Sequence, residues 1–412
     1  MTTSLMSPSA AIILLGLIAL AQRIAVLNRA IAFRRRLLGT INDAIDWPPV
    51  TILKPLCGPE PGLEAAIESF LAIDYPVYQL VFGAHDAGDP ALAIARRAAR
   101  RRPEIDIDMV WSSDLGCSNR KVANLMNMLP AAKHELLVIS DSDMHVSADY
   151  LKRVVSELMV PDTGLVTTLY TALAADSSLP NKLAALNVNF SFLPGALLAR
   201  GMGRQDCLGA TMALKQCTLQ AVGGLAALGD HIADDGLLGR RIRKLGLRVG
   251  LASTLPATTV SEESIICLCS HELRWATTIR CQAPLAFALS LVQFSTVWSA
   301  LFAVSNCGTP FSVALFLLSW VVEAIYQYFF ARILLIKAST ACHLIPVREA
   351  FSVATVILSF FRSSVSWRGQ RMVVSSADWS PLTVMRRPRL AAFRPKRQAA
   401  TLSDTEVVGS RG

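Results

Sequence analysis

Four short acidic stretches in this 412-residue chain combine residue types and spacings suited to chemistry. Asp141-Ser142-Asp143 follows the apolar run Leu136–Ser140. Two carboxylates flanking one residue repel each other unless a cation sits between them. A hard divalent ion with oxygen ligands, Mg²⁺ or Mn²⁺, suits such a pair. His85-Asp86 follows the run Gln79–Ala84 in the same manner. Asp234-Asp235 lies in GDHIADDGLLGRRIRKLG, where Leu237, Leu238, Ile242 and Leu245 recur at helical spacing. The fourth stretch is His271-Glu272-Leu273-Arg274-Trp275. Each has a plainer reading. A single aspartate after a strand is commonly a turn residue or helix cap, acids in a first helical turn favour the helix dipole, and Trp and Arg often sit at the headgroup level of a membrane. The plain reading is weakest for Asp141 and Asp143, because of their mutual repulsion.

The elements that must carry these residues are legible in the hydrophobic pattern. Val50–Leu53, Gln79–Ala84, Ile105–Trp111 and Leu136–Ser140 are short apolar runs of strand type, and Gly62–Leu71, Pro90–Arg102 and Asn119–Ala132 between them have helical periodicity. This alternation predicts an α/β domain, a mostly parallel sheet with helices on both faces. Ligands bind such sheets at the carboxyl ends of the strands, which is where the acids fall. There is no GxxxxGK[ST] loop, and Gly201-Met202-Gly203 lacks the third glycine of a dinucleotide fingerprint.

Composition points to a membrane. The chain is 52% hydrophobic and 17% charged, against about 25% charged in ordinary soluble domains, and its mean hydropathy is +0.42. Disorder, collagen and a disulfide miniprotein are excluded. The net charge is +9, yet residues 362–412 alone hold ten Lys/Arg against three Asp/Glu. A basic tail on an oily chain predicts an anionic membrane surface as partner and no nucleic acid. Nine cysteines without a CxxC pair read as reduced thiols.

Ala10–Leu27 reads as an uncleaved anchor, because Arg29, Arg34, Arg35 and Arg36 follow the apolar stretch rather than precede it. Pro284–Val304, 21 residues without a charge, and Phe311–Phe330 predict a transmembrane hairpin. The positive-inside rule then places residues 29–283 in the cytoplasm. Ala350–Phe361, with 12 residues, is short for a span and is expected to be re-entrant or interfacial. The expected organisation is an anchor and basic flank (1–36), a catalytic domain (48–270), an interfacial segment (271–283), a hairpin (284–336), a re-entrant or interfacial helix (345–376) and a disordered basic tail (377–412).

The order of the acidic sites resembles the ceramide glucosyltransferases, glycosyltransferase family 21, whose pattern is D, D, D, (Q/R)xxRW on a GT-A fold. Asp86, Asp141-Ser142-Asp143, Asp234-Asp235 and Arg274-Trp275 fall on it. Leu53-Lys54-Pro55-Leu56, Ile73-Asp74-Tyr75-Pro76, Asn119-Arg120-Lys121-Val122 and Gly209-Ala210-Thr211-Met212 extend the likeness over residues 50–285. His271 replaces the family's Gln/Arg, and Gly236 replaces an aromatic that usually follows the acidic pair. The first departure points to the bacterial branch that includes hopanoid-associated glycosyltransferases.

The resemblance implies a membrane-bound inverting transferase. It would move one sugar, N-acetylglucosamine or glucose, from a UDP-sugar to a lipid hydroxyl, a hopanoid such as bacteriohopanetetrol or a ceramide, at a bacterial inner membrane. Asp86 is then the nucleotide-binding aspartate and Asp235 the general base, with Asp234 its competitor. Asp141 and Asp143 would hold the metal against the diphosphate, Lys121 and Arg274 would pair with phosphate oxygens, and His271 and Trp275 would face the acceptor. A processive polysaccharide synthase shares these motifs but usually has more membrane helices. A transporter or scaffold would want several ionisable residues buried in its spans, and Glu323 is the one that the sequence offers.

Overall fold

The computed structural model describes residues 8–41, 46–114, 116–337, 341–362, 364–367 and 370–373; the expected tail, 377–412, lies outside them. The soluble part is built on a seven-stranded sheet. Its strands in chain order are β1 (Val50–Pro55), β2 (Tyr78–Ala84), β3 (Asp106–Trp111), β4 (Leu136–Ser140), β6 (Thr163–Thr167), β8 (Thr211–Lys215) and β9 (Arg248–Leu251). The spatial order is β3-β2-β1-β4-β8-β6-β9, with β8 alone antiparallel to its neighbours. A smaller sheet pairs β5 (Met144–His145) and β7 (Thr171–Ala174) with β10 (Ala257–Val260).

β1 and β4 bury both faces, so their sequences VTILKP and LLVIS are apolar runs with no polar alternation. One face packs α2 (Leu63–Leu71), α3 (Pro90–Arg100) and α5 (Tyr150–Leu158) around Ile52, Phe70 and Leu80. On the other, α4 (Arg120–Met128) and α9 (Asp234–Lys244) enclose Leu53, Val81, Ile139 and Leu238. Helix starts are set chemically. Asp89 caps α3 at Ala91 N (2.8 Å), and Asn119 caps α4 at Lys121 N and Val122 N (3.0 and 3.2 Å). α4 lies so close to β2 that any side chain at Gly83 would collide with Met128 and Asn124.

Among the described residues four helical segments have the length and apolarity to cross a membrane. The first is α1 (Pro8–Leu37), the expected anchor continued through its arginines. The second had no counterpart in the sequence reading. α6 (Leu179–Asn187), a π-helical turn at Val188–Phe192 and α7 (Leu193–Gly201) form one apolar run, Leu179–Gly201. It was masked by its place inside the catalytic region. It packs Leu186, Phe190, Leu193 and Leu197 against Val26 and Phe33 of α1, and against Tyr326 and Phe330 of α13 (Pro310–Leu334). Leu169 and Leu251 of the sheet domain join this same cluster, which ties the domain to the apolar helices.

Two expectations need correction. Pro284–Val304 is not a straight span. The segment Pro284–Gln293, which contains α11 (Pro284–Leu289), meets α12 (Ser295–Ser305) at a 65° bend around Phe294. Breaking a helix exposes backbone groups that need partners, and buried charges supply them. Arg23 Nη2 donates to Gln293 O (2.9 Å), and Glu349 Oε2 accepts from Thr296 N (2.9 Å) and Thr296 Oγ1 (2.5 Å). Arg23 also pairs with Glu323 (2.9 Å), so Glu323 is far from the lone buried charge among the apolar helices. The count that disfavoured a transporter was thus too low, because the partners lie about 300 residues apart in sequence.

The second correction concerns residues 345–376. α14 spans Ile345–Ser359, and with the preceding turn reaches 18 residues, six more than the apolar run suggested. It is followed by a hairpin of β11 (Ser364–Trp367) and β12 (Gln370–Val373), not by more helix. The hidden turns carry Arg348, buried by pairing with Glu272, and Glu349, buried against Thr296. α14 lies alongside α10 (Ile265–Gln282): Arg348 grips Glu272 through both carboxylate oxygens (2.7 and 2.6 Å), and Arg280 donates to Arg362 O (2.7 Å).

Arg348 and Glu272 are 4% and 6% exposed. Removing one partner leaves the other charge buried and unpaired, which costs about 3–5 kcal/mol. Arg348→Ala is expected to lower the thermal unfolding midpoint of the detergent-solubilised chain sharply, and Glu272→Ala added to it should recover part of the loss.

Candidate active site

The carboxyl edge of the sheet gathers the acids from three elements. β4 ends at Ser140 and delivers Asp141, Ser142 and Asp143 into a turn that is held on every side. Lys54, at the end of β1 next door, donates Nζ to Asp141 O (2.7 Å). Ser142 Oγ is hydrogen-bonded to Glu60. Thr258 Oγ1 on β10 donates to Asp143 Oδ2 (2.5 Å), and Thr259 N donates to Asp143 O (3.1 Å). Burial, then the charge of Asp141, pushes the Asp143 carboxyl up to about 6. Burial likewise pulls the Lys54 ammonium down to about 7, against the attraction of Asp143, Asp141 and Glu60.

Lys121, in the first turn of α4, joins this turn to the acidic pair of α9. Its Nζ lies 2.5 Å from Asp141 Oδ1 and 3.4 Å from Gly209 O. Burial opposes its charge, but Asp141, Asp234 and Asp235 together hold its pKa above the ordinary lysine value. Asp234 is buried, and burial raises it while Lys121 pulls it back. Asp235 is half-buried; burial and the neighbouring Asp234 push it up to about 6, although Gly236 N donates to its Oδ1 (2.6 Å). A Cβ at Gly209 would stand 3.0 Å from Asp235 Oδ2, so the segment before β8 passes close against the carboxylate.

Asp141, Asp143, Lys121, Asp234 and Asp235 therefore converge as the sequence suggested. Asp86 lies at the same sheet edge, after β2, but is exposed and accepts from Gly88 N (3.0 Å) in a local turn. His271 and Trp275 are together on α10, ring centroids 4.5 Å apart, with His271 Nδ1 2.6 Å from Glu262. Arg274 stands half-buried between them on the same helix. Trp275 belongs to a cluster with Phe192, Val260 and Tyr170. Tyr170 is the link to the acids: burial and then Asp235, Asp141 and Asp143 raise its phenol, which stays neutral.

Sequence reasoning assigned no role to Lys54 or Tyr170. A signal existed for the first, since a lysine in an otherwise apolar buried strand demands a counter-charge. For Tyr170 there was none, as its position depends on the β7–β10 pairing. Among the described residues no group of three or more His, Cys, Asp or Glu side chains gathers as a metal site. Asp141 and Asp143 alone supply two hard oxygen donors, and the charge of Asp141 adds to burial in raising the proton affinity of Asp143. That donor set fits an ion completing its shell with water and substrate phosphate.

A family model described as glycosyl transferase family 21 matches residues 10–378, the catalytic domain together with the apolar helices on both sides. The chain belongs to that family. Among its family 21 relatives are two from Caenorhabditis elegans. Ceramide glucosyltransferase 3 is 23% identical over 242 residues, 58% of this chain and 52% of the relative. Ceramide glucosyltransferase 1 is 23% identical over 210 residues, 51% and 45%. The chain spans about half the length of these curated relatives. Among solved structures, a mannosyltransferase from Pyrobaculum calidifontis in complex with GDP-Man and Mn²⁺ has a TM-score of 0.46 at 18% identity, covering 84% of this chain and 99% of that one.

A carboxyl that binds its proton more tightly folded than unfolded stabilises the fold in acid, and that contribution is lost as pH rises through about 4 to about 6. Asp235 is such a group. Asp235→Asn is expected to unfold at a higher temperature than the parent at pH 7.5. The gap should close as the pH is lowered to about 4, read from calorimetric midpoints across the range.

Proposed function

We propose that this chain is a membrane-bound, metal-dependent, inverting glycosyltransferase that moves a single sugar from a UDP-sugar to a lipid hydroxyl. The observation that carries the reading is the Lys121 bridge, 2.5 Å from Asp141 and held by the charges of Asp234 and Asp235. It joins a two-carboxylate turn suited to a diphosphate-bound cation with an acidic pair suited to proton transfer, inside a chain of family 21.

Asp141 and Asp143 would hold the divalent ion, which neutralises charge on a leaving diphosphate. Lys121 and Arg274 would pair with phosphate oxygens, and Asp86 would take the nucleotide end. Asp235 removes the proton of the lipid hydroxyl; that oxygen bonds to the anomeric carbon as the bond to the diphosphate breaks and UDP departs. A base with a pKa near 6 works close to neutral pH and is worth about 10²–10⁴-fold in rate. Direct attack inverts the anomeric centre. His271, Trp275 and Tyr170 line the acceptor side. The donor sugar is N-acetylglucosamine or glucose, and the acceptor a hopanoid polyol such as bacteriohopanetetrol, or a ceramide.

The domain faces the cytoplasm at a bacterial inner membrane, with the basic tail on its anionic surface, a reading supported by the arginines that end α1. One of these, Arg36, also fastens the anchor to the domain through Leu251 O (2.7 Å). The deciding experiment gives purified protein a panel of UDP-sugars with ceramide, bacteriohopanetetrol or diacylglycerol, and identifies products by mass spectrometry. No glycolipid from any pairing would refute the reading.

Two variants probe the roles. Asp143→Ala should cut transfer by about a hundredfold or more while the chain stays folded and membrane-bound. EDTA should inhibit the parent, with Mg²⁺ or Mn²⁺ restoring it; full activity in chelator would remove the metal. Arg274→Lys keeps a charge suited to a membrane belt but loses the bidentate fork. Turnover should fall about 10- to 100-fold with membrane association unchanged, whereas near-parental turnover would make Arg274 a belt residue only.

A further inference from the structure

Gly236, Arg240 and Arg243 recur along α9 at steps of four and three residues, so they share one helix face. That face lines a cavity of about 230 Å³, bounded opposite by Arg204, Asp206 and Gln282. Among the described lining residues there are three guanidinium groups and one carboxylate. Two of the arginines are held in place by the fold. Arg204 is fixed by Asp206 through Nε and Nη2 (2.7 and 3.1 Å), and Arg243 donates Nη1 to Gln205 O. Its arginines lie outside the carboxylate cluster, which the lining adjoins at Gly236, whose N–H donates to Asp235 Oδ1 (2.6 Å), and at Cys207.

The location supplies the second constraint. Gln282 is the last residue of α10, and Pro284 begins the bent apolar segment. The cavity thus lies at the level where the soluble domain meets the apolar helices. Ligand pockets for drug-sized molecules are typically about 300–1,000 Å³, so this one suits a small head with its chains left outside. Arginine forks match phosphate oxygens in geometry and charge. Gly236 contributes no side chain to the lining.

We propose that this cavity binds the phosphate head of an acidic membrane lipid. The proposal rests on the chain being membrane-bound and is independent of sugar transfer. The shared chemistry with free phosphate is a phosphoryl group held by Arg204, Arg240 and Arg243, and the ligands of the test separate the two sources.

The full chain in zwitterionic micelles is titrated calorimetrically with dioctanoyl phosphatidic acid, dioctanoylglycerol and inorganic phosphate. Phosphatidic acid should bind, dioctanoylglycerol should not, and inorganic phosphate should compete only at far higher concentration. Arg240→Gln combined with Arg243→Gln should weaken phosphatidic acid binding by about tenfold or more. Gly236→Phe, which fills the space and keeps every guanidinium, should do the same. Arg97→Gln with Arg100→Gln, exposed on α3 across the sheet from α9, should leave binding unchanged. Equal affinity for inorganic phosphate would overturn the lipid assignment. No binding by the parent, parental affinity in the cavity variants, or a loss confined to the α3 variant would overturn the site. Asp143→Ala should bind phosphatidic acid like the parent, so failure of the transferase reading is separately visible.

Discussion

Four carboxylates at one sheet edge cannot all ionise without cations among them, and the arrangement of the soluble domain follows from that constraint. Lys121 meets it from α4 and Lys54 from β1. Each needs its own positioning. Lys121 is aimed by the Asn119 cap that starts α4, and Lys54 lies fully buried with its ammonium 3.9 Å above the Phe70 ring. The antiparallel insertion of β8 beside β4 brings Gly209 against Asp235 and Lys121, closing the cluster from the far side. Packing alone would accept many alternatives at these positions; charge balance accepts few.

The same logic governs the apolar helices. A bend of 65° in the Pro284–Ser305 segment leaves backbone groups bare, and Arg23 and Glu349 satisfy them from α1 and α14. Glu272 and Arg348 then bind α14 to α10, the helix that carries His271, Arg274 and Trp275. The route from α1 to α10 therefore runs through two buried ion pairs and the Glu349–Thr296 hydrogen bonds. Buried pairs add little net stability over well-packed apolar residues, so their value here is to hold one geometry of α10 relative to the helices around it.

The legible part of the molecule is the part written in local pattern. Strand–helix alternation placed β1 to β4 and their helices, and the acidic residues after β4 and at the start of α9 stood out because each is a local cluster. What escaped is non-local. The run Leu179–Gly201 has membrane-like hydropathy but sits between strands, so context hid it. The break at Phe294 has no proline or glycine to announce it; its cause lies in Arg23 and Glu349, far away in sequence. α14 appeared short because Arg348 and Glu349 interrupt its apolar pattern, and burial by pairing is invisible in one dimension. Tyr170 reaches the acids only through the pairing of β7 with β10.

The division of labour between Asp234 and Asp235, which sequence leaves open, follows from their surroundings. Asp234 is 8% exposed and lies 3.5 Å from the amide nitrogen of Asn119, the residue whose carbonyl caps α4. It ties α9 to the helix that aims Lys121, and a proton acceptor so placed has little access to a substrate. Asp235 is half-buried, and Gly209 packs close against its Oδ2. Its proton affinity is raised toward neutrality by burial and by Asp234 itself. On the proposed chemistry, then, Asp234 tunes and Asp235 reacts: one carboxylate supplies the charge that makes its neighbour a better base, and the adjacency that made them hard to separate in sequence is part of how the site works.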